Sequence, residues 1–483
     1  MRTWRVALAT TAVGLLSATA CTGGQSGQSG DSPDPLPTTY SGDPPPGSAG
    51  SPSRFLHGRG ADGPDILDDA GGVRITSLGN AFLISSNSGE QHLLQRPEGG
   101  EVLWEGDQRI ERIGSDRDGS EVLVLRSGSG DSATTTVVDD TGETVWRGSG
   151  PRERYLDGVV VRYPPEWSPD GPYGEFTVLD TGGNELWDFT FEEPPDSADS
   201  GDDDEDGTSE DGQEGKDEQD GQDEDDGTNR AGVPVGARQD TLLLDDGSGG
   251  LQARQLPRDG EEAGGTLWSV SGNASEIAGN VASPTPTPHL VDFYELPAQS
   301  GEPASGEGGT ATDTAALFRW GFSQEPSVLT MHDLRSGELL WRLTEPGVNP
   351  AGREFDPDPV SGSVYDSTTR TLLLPQGSGQ APVAAVDLVT GAIRWEFDDA
   401  DERAISPAFA WNGRIFGDTR GAGSDSSSQV VLEARTKETE TGALDAYVET
   451  ATEDGHILAV QNRQRFVFAP EEGAGRESPG SRE

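Results

Sequence analysis

Cysteine and lysine are almost absent from this sequence. Its 483 residues include one cysteine, Cys21, and two lysines, Lys216 and Lys437. A single cysteine excludes any internal disulfide, so packing alone must hold the fold together. Hydrophobic residues make up only 31% of the chain, whereas there are 67 glycines and 33 prolines. This composition favours many short strands and turns, together with some disordered polypeptide.

Positive charge is also scarce. The chain has 34 basic residues against 86 acidic ones, which gives a formal net charge of −52. Such a chain is repelled by nucleic acid and by anionic lipid head groups, so we predict no nucleic-acid partner. The strong preference for arginine over lysine is typical of GC-rich genomes and suggests a high-GC Gram-positive source.

Motifs for catalysis, metal binding or cofactor binding are not visible. The five histidines are far apart and lack metal-ligand spacing; they are His57, His92, His289, His332 and His456. No Gly-x-Ser-x-Gly elbow, phosphate-binding loop or haem attachment motif occurs. We therefore predict no catalytic residue, no metal site and no cofactor.

The N-terminus has the features of a secretory signal. Arg2 and Arg5 precede an apolar run over residues 6–20 that ends in small residues. Cys21 follows directly, as in a bacterial lipobox, although that motif prefers a large aliphatic residue where Ala18 stands. We predict a signal peptide over 1–20 and a lipid on Cys21. A diacyl anchor would hold the protein at the outer side of the cell membrane.

Three segments lack the apolar residues that a core requires. Residues 21–54 are rich in Gly, Ser, Pro and Asp and are expected to form a flexible tether. Residues 192–231 are expected to be a disordered insertion, because residues 196–229 contain 17 Asp and Glu and one Lys. This insertion is either a solvated loop, or a segment that captures divalent cations or repels anionic wall polymers. Residues 471–483 are expected to be a disordered tail.

The remaining sequence indicates an all-β fold. Short apolar runs such as AFLISS, TLLLDD and HILAVQN alternate with Gly, Asp, Ser and Pro, and helical periodicity is lacking. Residues 289–345 illustrate a four-stranded unit, with HLVDFYEL, ALFRWGF, VLTMHDL and ELLWRLT as its strands.

A repeated glycine–tryptophan pair sets the period of these units. In six places a glycine precedes a tryptophan by four residues, and the tryptophans are Trp104, Trp146, Trp187, Trp268, Trp341 and Trp395. Successive intervals are 42, 41, 81, 73 and 54 residues. The interval of 81 becomes 41 when the 40-residue insertion 192–231 is removed. A unit of about 42 residues with four strands is typical of a propeller blade.

The unit Asp-x-x-Thr-Gly-x-x-x-Trp, seen in "DLVTGAIRW" at 387–395, resembles the repeat of pyrroloquinoline-quinone-type β-propellers. The resemblance covers residues 73–470 and implies seven or eight four-stranded blades. A seventh repeat is placed at Thr441-Gly442, which lacks the tryptophan. We favour eight blades, with a segment before Val73 completing the ring, because closure removes exposed sheet edges. The propeller domain is predicted over 55–470.

The repeated tryptophans are expected to be structural. A flat ring early in the fourth strand can fill the wedge between blades while its indole N–H finds an acceptor. We expect the six sites to be equivalent. The alternative is an aromatic box for a ligand, which six evenly spaced rings do not favour.

The resemblance leaves the function open, since its members include quinoprotein alcohol dehydrogenases, assembly lipoproteins of Gram-negative outer membranes and surface proteins without known activity. The disulfide between adjacent cysteines found in many such dehydrogenases is impossible here. We therefore predict a non-catalytic, monomeric surface lipoprotein that binds an extracytoplasmic partner. The alternatives are a quinone- or metal-dependent oxidoreductase and a sensor that works with a membrane kinase or transporter.

Overall fold

The computed structural model describes fourteen segments of the chain. They are residues 38–56, 65–68, 72–169, 171–193, 231–257, 263–278, 288–297, 312–321, 326–348, 364–375, 383–397, 405–419, 428–441 and 444–471. The predicted signal peptide, Cys21, all but the first residue of the predicted C-terminal tail and nearly all of the acidic insertion lie outside these residues. Among the described segments, no helix has the length and apolar character needed to cross a membrane.

The described chain forms eight four-stranded antiparallel sheets, which we number as blades 1–8. Strands are numbered in chain order. Blade 1 contains β2 (Val73–Leu78), β3 (Ala81–Ser86), β4 (His92–Gln95) and β5 (Val102–Gly106). Blade 2 contains β6 (Arg109–Ser115), β7 (Glu121–Ser127), β8 (Thr134–Asp139) and β9 (Thr144–Ser149). Blade 3 contains β10 (Glu153–Leu156), β11 (Val159–Arg162), β12 (Gly174–Leu179) and β13 (Glu185–Phe191). Blade 4 contains β14 (Val233–Arg238), β15 (Thr241–Asp245), β16 (Gly250–Gln255) and β17 (Thr266–Ser271).

The second half continues the same pattern. Blade 5 contains β18 (Pro288–Pro297), β19 (Thr312–Trp320), β20 (Pro326–Asp333) and β21 (Leu339–Val348). Blade 6 contains β22 (Val364–Asp366), β23 (Thr371–Pro375), β24 (Val383–Asp387) and β25 (Ile393–Glu396). Blade 7 contains β26 (Ile405–Trp411), β27 (Arg414–Thr419), β28 (Ser428–Glu433) and β29 (Thr439–Thr441). Blade 8 contains β30 (Tyr447–Ala451), β31 (Ile457–Gln461), β32 (Gln464–Pro470) and the N-terminal β1 (Ser48–Phe55). Three short helical turns lie between strands, at Asp65–Asp68, Gly130–Ser132 and Ser275–Ala278.

The ring is closed by the N-terminal strand. β1 pairs antiparallel with β32, so that Phe55 lies opposite Phe466, and β1 becomes the fourth strand of blade 8. The prediction of eight blades completed by a segment before Val73 is therefore confirmed. This strand begins at Ser48, seven residues before the predicted domain boundary at 55. Closure through hydrogen bonds between the two ends of the domain leaves no blade without a neighbour.

The first strands of adjacent blades contact one another, as β2 does with β30 and β22 with β26, and these strands surround the central axis. Buried apolar residues of the described chain form eight clusters, one at each junction between neighbouring blades. Within β15, Leu242 and Leu244 face blade 3, whereas Leu243 faces blade 5. Since side chains alternate along a strand, one short apolar run supplies two junctions. A chain with few hydrophobic residues can thereby fill an extensive core.

The turn before the fourth strand is built alike in several blades. In blade 5, Gly337 has φ +72° and donates from its backbone N–H to the Asp333 carbonyl oxygen at 2.9 Å. In blade 7 the same bond runs from Lys437 to Glu433, at 3.0 Å, and Lys437 has φ +66°. The seventh repeat was therefore placed wrongly at Thr441-Gly442. A lysine occupies the glycine position, which hid the turn from the glycine-based pattern.

Candidate functional site

The propeller has two unlike faces. We call the end that carries the first–second and third–fourth strand connections the turn face, and the opposite end the loop face. Most first–second connections on the turn face are tight, as in β2–β3 and β10–β11. The connections that span residues 163–173, 192–232, 272–287 and 349–363 all join strands at the loop face. Long connections on a rigid scaffold are where binding residues usually lie.

An aromatic–arginine cluster lies on the loop face of blade 3. It consists of Arg154, at the start of the first strand, and of Tyr163 and Trp167 in the β11–β12 connection. The Arg154 guanidinium carbon is 4.7 Å from the centre of each ring. The two rings meet edge to face, with centroids 4.8 Å apart. The rings therefore hold an exposed cation in one position on this face.

The connection that carries the cluster is ordered by its own hydrogen bonds. The Trp167 backbone N–H donates to the Pro164 carbonyl at 3.2 Å, and Gly171 donates to the Ser168 carbonyl at 3.1 Å. Burial raises the pKa of Tyr163, and the nearby Arg154 charge opposes that rise. The Trp167 indole Nε1 is buried and has no hydrogen-bond partner among the residues that the structure describes. A buried indole N–H usually has an acceptor, so this site retains unused donor capacity.

A second polar cluster surrounds the central axis. Asp157, in the β10–β11 turn, lies 3.7 Å from Arg112 through Oδ1 and a guanidinium nitrogen. Burial raises the pKa of Asp157, and Arg112 opposes this rise. Asp292 of β18 lies near the axis, where desolvation by the surrounding protein, and then the Asp157 charge, raise its pKa to about 6. Arg238 lies between these carboxylates and pairs with Glu295 at 3.5 Å.

The turn-face end of this axis is partly covered by protein. Gln239 N–H donates to the Arg117 carbonyl, and Arg117 Nε donates to the Gln239 carbonyl, both at 2.7 Å. These bonds join blades 2 and 4 above the tight turn of blade 3. The axial cluster combines the carboxylates of Asp157, Asp292 and Glu295 with the guanidinium groups of Arg112 and Arg238, so its charge is largely compensated within the protein. We assign no reaction step to these residues.

The six repeated tryptophans all lie in the fourth strands of blades 1–6. Trp268, Trp341 and Trp395 donate from Nε1 to a carbonyl in the third–fourth turn of the next blade, at 2.8, 2.7 and 2.9 Å. A Cβ added to Gly391 would lie 2.6 Å from the Trp341 ring. The Trp268 and Trp341 rings thus pack against a glycine turn of the neighbouring blade and bind its carbonyl, whereas Trp395 binds a carbonyl of the blade 7 turn that contains Lys437.

The other three tryptophans depart from this arrangement. Trp187 packs against Gly264 of the next blade and stacks on Phe189 at 4.3 Å. Trp104 and Trp146 lie over the glycine two residues later in their own strands, Gly106 and Gly148. The expectation of six equivalent sites is therefore wrong. The rings are nonetheless distributed one per blade over blades 1–6 and do not converge on one ligand box.

Two residues that the pattern missed serve the remaining junctions. Arg54 of β1 donates from Nε to the Pro97 carbonyl at 2.7 Å, and its guanidinium lies against Gly100. This is the position that an indole takes between other blades. Trp411, at the end of β26, packs against Gly47, where an added Cβ would lie 2.6 Å from the ring. Arg54 follows Gly50 by four places but is not a tryptophan, and Trp411 has Pro407 at that distance, so the glycine–tryptophan pattern finds neither residue.

One group of side chains in the described residues is placed to hold a metal ion. Glu98, Asp454 and His456 each offer one ligand atom, and these atoms lie within 4.8 Å of one another. They come from the turn faces of blades 1 and 8. No histidine has metal-ligand spacing in the sequence. The sequence prediction missed this group because Glu98 is distant in sequence from Asp454 and His456.

Comparison with known proteins gives fold-level likeness at low identity. No family model matches the chain, and no curated protein matches it. Among solved structures, BamB from Moraxella catarrhalis is 14% identical with a TM-score of 0.38, and the match covers 82% of this chain and 96% of that one. AztD from Citrobacter koseri is 12% identical with a TM-score of 0.41, covering 80% and 90%. A europium-containing methanol dehydrogenase is 12% identical with a TM-score of 0.38, covering 80% and 82%. At these scores, the function must be argued from this chain's own residues.

Proposed function

We propose that the protein is a lipid-anchored, extracytoplasmic binding scaffold that engages a protein partner through its loop face. The observation that carries this proposal is the aromatic–arginine cluster of Arg154, Tyr163 and Trp167. Trp, Tyr and Arg are the residue types that dominate binding energy at protein interfaces. A guanidinium fixed between two rings also loses little side-chain entropy when a partner binds.

Electrostatics favours an acidic or polar patch on the partner at this point. Arg154 places a fixed positive charge on the loop face of a chain whose net charge is −52. Complementary charge at one point fixes orientation and suppresses wrong partners more than it adds raw affinity. The lipid on Cys21 would confine the encounter to the membrane surface, since two acyl chains anchor durably.

The test is a quantitative pull-down from membranes of the source cells with the full-length lipoprotein as bait. Arg154→Ala and Trp167→Ala should each weaken capture of the same protein by at least about tenfold, as expected for interface hot spots. Lys437→Gly is the matched control. Lys437 lies on the turn face and forms a cation–π pair with Phe397 at 5.2 Å, and glycine suits its backbone conformation.

Two results would contradict the proposal. If the captured protein is retained by both cluster variants, the loop-face site is wrong. If Cys21→Ser leaves the protein in the membrane fraction, the anchor is wrong, and that result is independent of the partner.

A further inference from the structure

The junction where the ring closes carries a compact set of metal-ligand side chains. Glu98 lies in the β4–β5 turn of blade 1, and Asp454 and His456 lie in the β30–β31 turn of blade 8. One ligand atom from each lies within 4.8 Å of the other two. Glu98 is exposed, whereas His456 is only 6% exposed. The set therefore combines the buried, fixed His456 imidazole with the exposed Glu98 carboxylate, which can move towards a bound ion.

The blade 8 half of this set is held in place by its turn. Asp454 Oδ1 accepts hydrogen bonds from the Thr452 hydroxyl at 2.5 Å and from His456 Nδ1 at 3.0 Å. The Asp454 backbone N–H donates to Asn80 of blade 1 at 2.9 Å. Burial opposes ionisation of Asp454, but the hydrogen bonds from His456 and Thr452 hold its pKa below the usual range. The carboxylate is therefore ionised and oriented towards the imidazole at neutral pH.

The distances suit a transition metal. Ligands about 2.0–2.2 Å from a zinc ion are roughly 3 Å apart, and His456 Nδ1 and Asp454 Oδ1 are separated by 3.0 Å. His456 Nε2 makes no hydrogen bond to any described residue. One imidazole with two carboxylates suits Zn²⁺ or Mn²⁺ better than Mg²⁺ or Ca²⁺, which prefer oxygen ligands alone.

We propose that Glu98, Asp454 and His456 bind a divalent transition-metal ion, which links blade 8 to blade 1 across the junction that closes the ring. The ion is held by the His456 imidazole and the Asp454 carboxylate, and it draws Glu98 of the neighbouring blade onto it. Because an ion that binds only the folded protein shifts the unfolding equilibrium, occupancy stabilises the closed ring.

The test is titration of the metal-free, full-length protein with ZnCl₂ by calorimetry, in millimolar Mg²⁺ to occupy nonspecific carboxylates. One site is expected per chain, together with a rise in Tm. His456→Ala should abolish that site. Glu98→Gln, at an exposed position where folding is not at risk, should weaken it at least about tenfold.

Glu101→Gln is the matched control, because Glu101 lies in the same turn and pairs with Arg96 at 3.1 Å outside the ligand set. It should bind Zn²⁺ like the wild type. If Glu98→Gln and His456→Ala retain the wild-type affinity and Tm rise, the zinc is held by other carboxylates and the proposal is overturned. Absence of a saturable site in the wild type overturns it equally.

Discussion

Removing Trp341 should cost far more stability than removing Trp104, although both occupy the same position in the repeat. Trp341 is 7% exposed, packs among the apolar residues between blades 5 and 6, and donates to the Leu388 carbonyl at 2.7 Å. Emptying a buried tryptophan site costs about 3–5 kcal/mol. The hydrogen bond that the Leu388 carbonyl loses contributes roughly 1 kcal/mol, which is already included in this range.

Trp104 is half-buried and lies over Gly106 of its own strand. Trp104→Ala should therefore cost only about 1–2 kcal/mol, the range of a partly buried substitution. Both free energies are measured by urea denaturation followed by far-UV circular dichroism. Each variant lacks one tryptophan, so the loss of its contribution to the circular dichroism signal is common to both and does not affect their comparison. Equal losses, or a loss below about 1 kcal/mol for Trp341→Ala, would refute the inter-blade docking argument.

An independent change tests the same contact without deleting any atom. Gly391→Ala adds a Cβ that would lie 2.6 Å from the Trp341 ring, at a residue with φ +70°. The left-handed conformation alone costs about 1–2 kcal/mol for a residue with a Cβ, so the total loss should exceed that. Gly99→Ala is the control, because its Cβ would meet nothing within 4 Å, and its loss should stay within about 0.5 kcal/mol. Equal effects of the two substitutions would contradict the packing of Trp341 on this turn.

Three further predictions concern other parts of the ring. Arg319→Met should cost about 3–5 kcal/mol in chemical denaturation, because it leaves the fully buried Glu345 without its charged partner; an unchanged free energy of unfolding would contradict this argument. Burial raises the pKa of Asp245 to about 6, so its contribution to stability is greatest below about pH 4 and falls by roughly 3 kcal/mol as pH rises through 6. Asp245→Asn should flatten that part of the stability–pH curve, and an unchanged curve would contradict the assignment. Arg54→Ala should lower Tm and increase proteolysis at the N-terminal strand, since the Pro97 carbonyl and Gly100 lose their partner; protection equal to wild type would show that the strand does not need this residue.

The two faces of the propeller separate its proposed roles. The loop face carries the aromatic–arginine cluster, whereas the metal-ligand set lies on the turn face at the closing junction. A partner bound at blade 3 and an ion bound between blades 8 and 1 would therefore occupy different ends of the molecule. Loss of one is not expected to abolish the other, so the two proposals can fail independently.

Much of the fold was readable from the sequence because the signals are local. Short apolar runs bounded by turn residues specify strands, and a glycine four residues before a tryptophan marks the same turn in blade after blade. Even a blade such as residues 289–345 could be divided into its four strands. Closure by an N-terminal segment followed from the cost of unpaired strand edges.

The junctions and the candidate sites were decided by tertiary structure. Arg54 replaces a tryptophan and Lys437 replaces a glycine, and each is recognised only by the carbonyl or backbone conformation it satisfies. Equivalent sequence positions also take different packing, since the rings at Trp104 and Trp341 find different neighbours. Glu98 and His456 are more than 350 residues apart in the chain and meet because the ring brings its last blade against its first. A local sequence pattern predicts the strands and turns within one blade. Contacts between blades depend on distances that are set only when the ring closes.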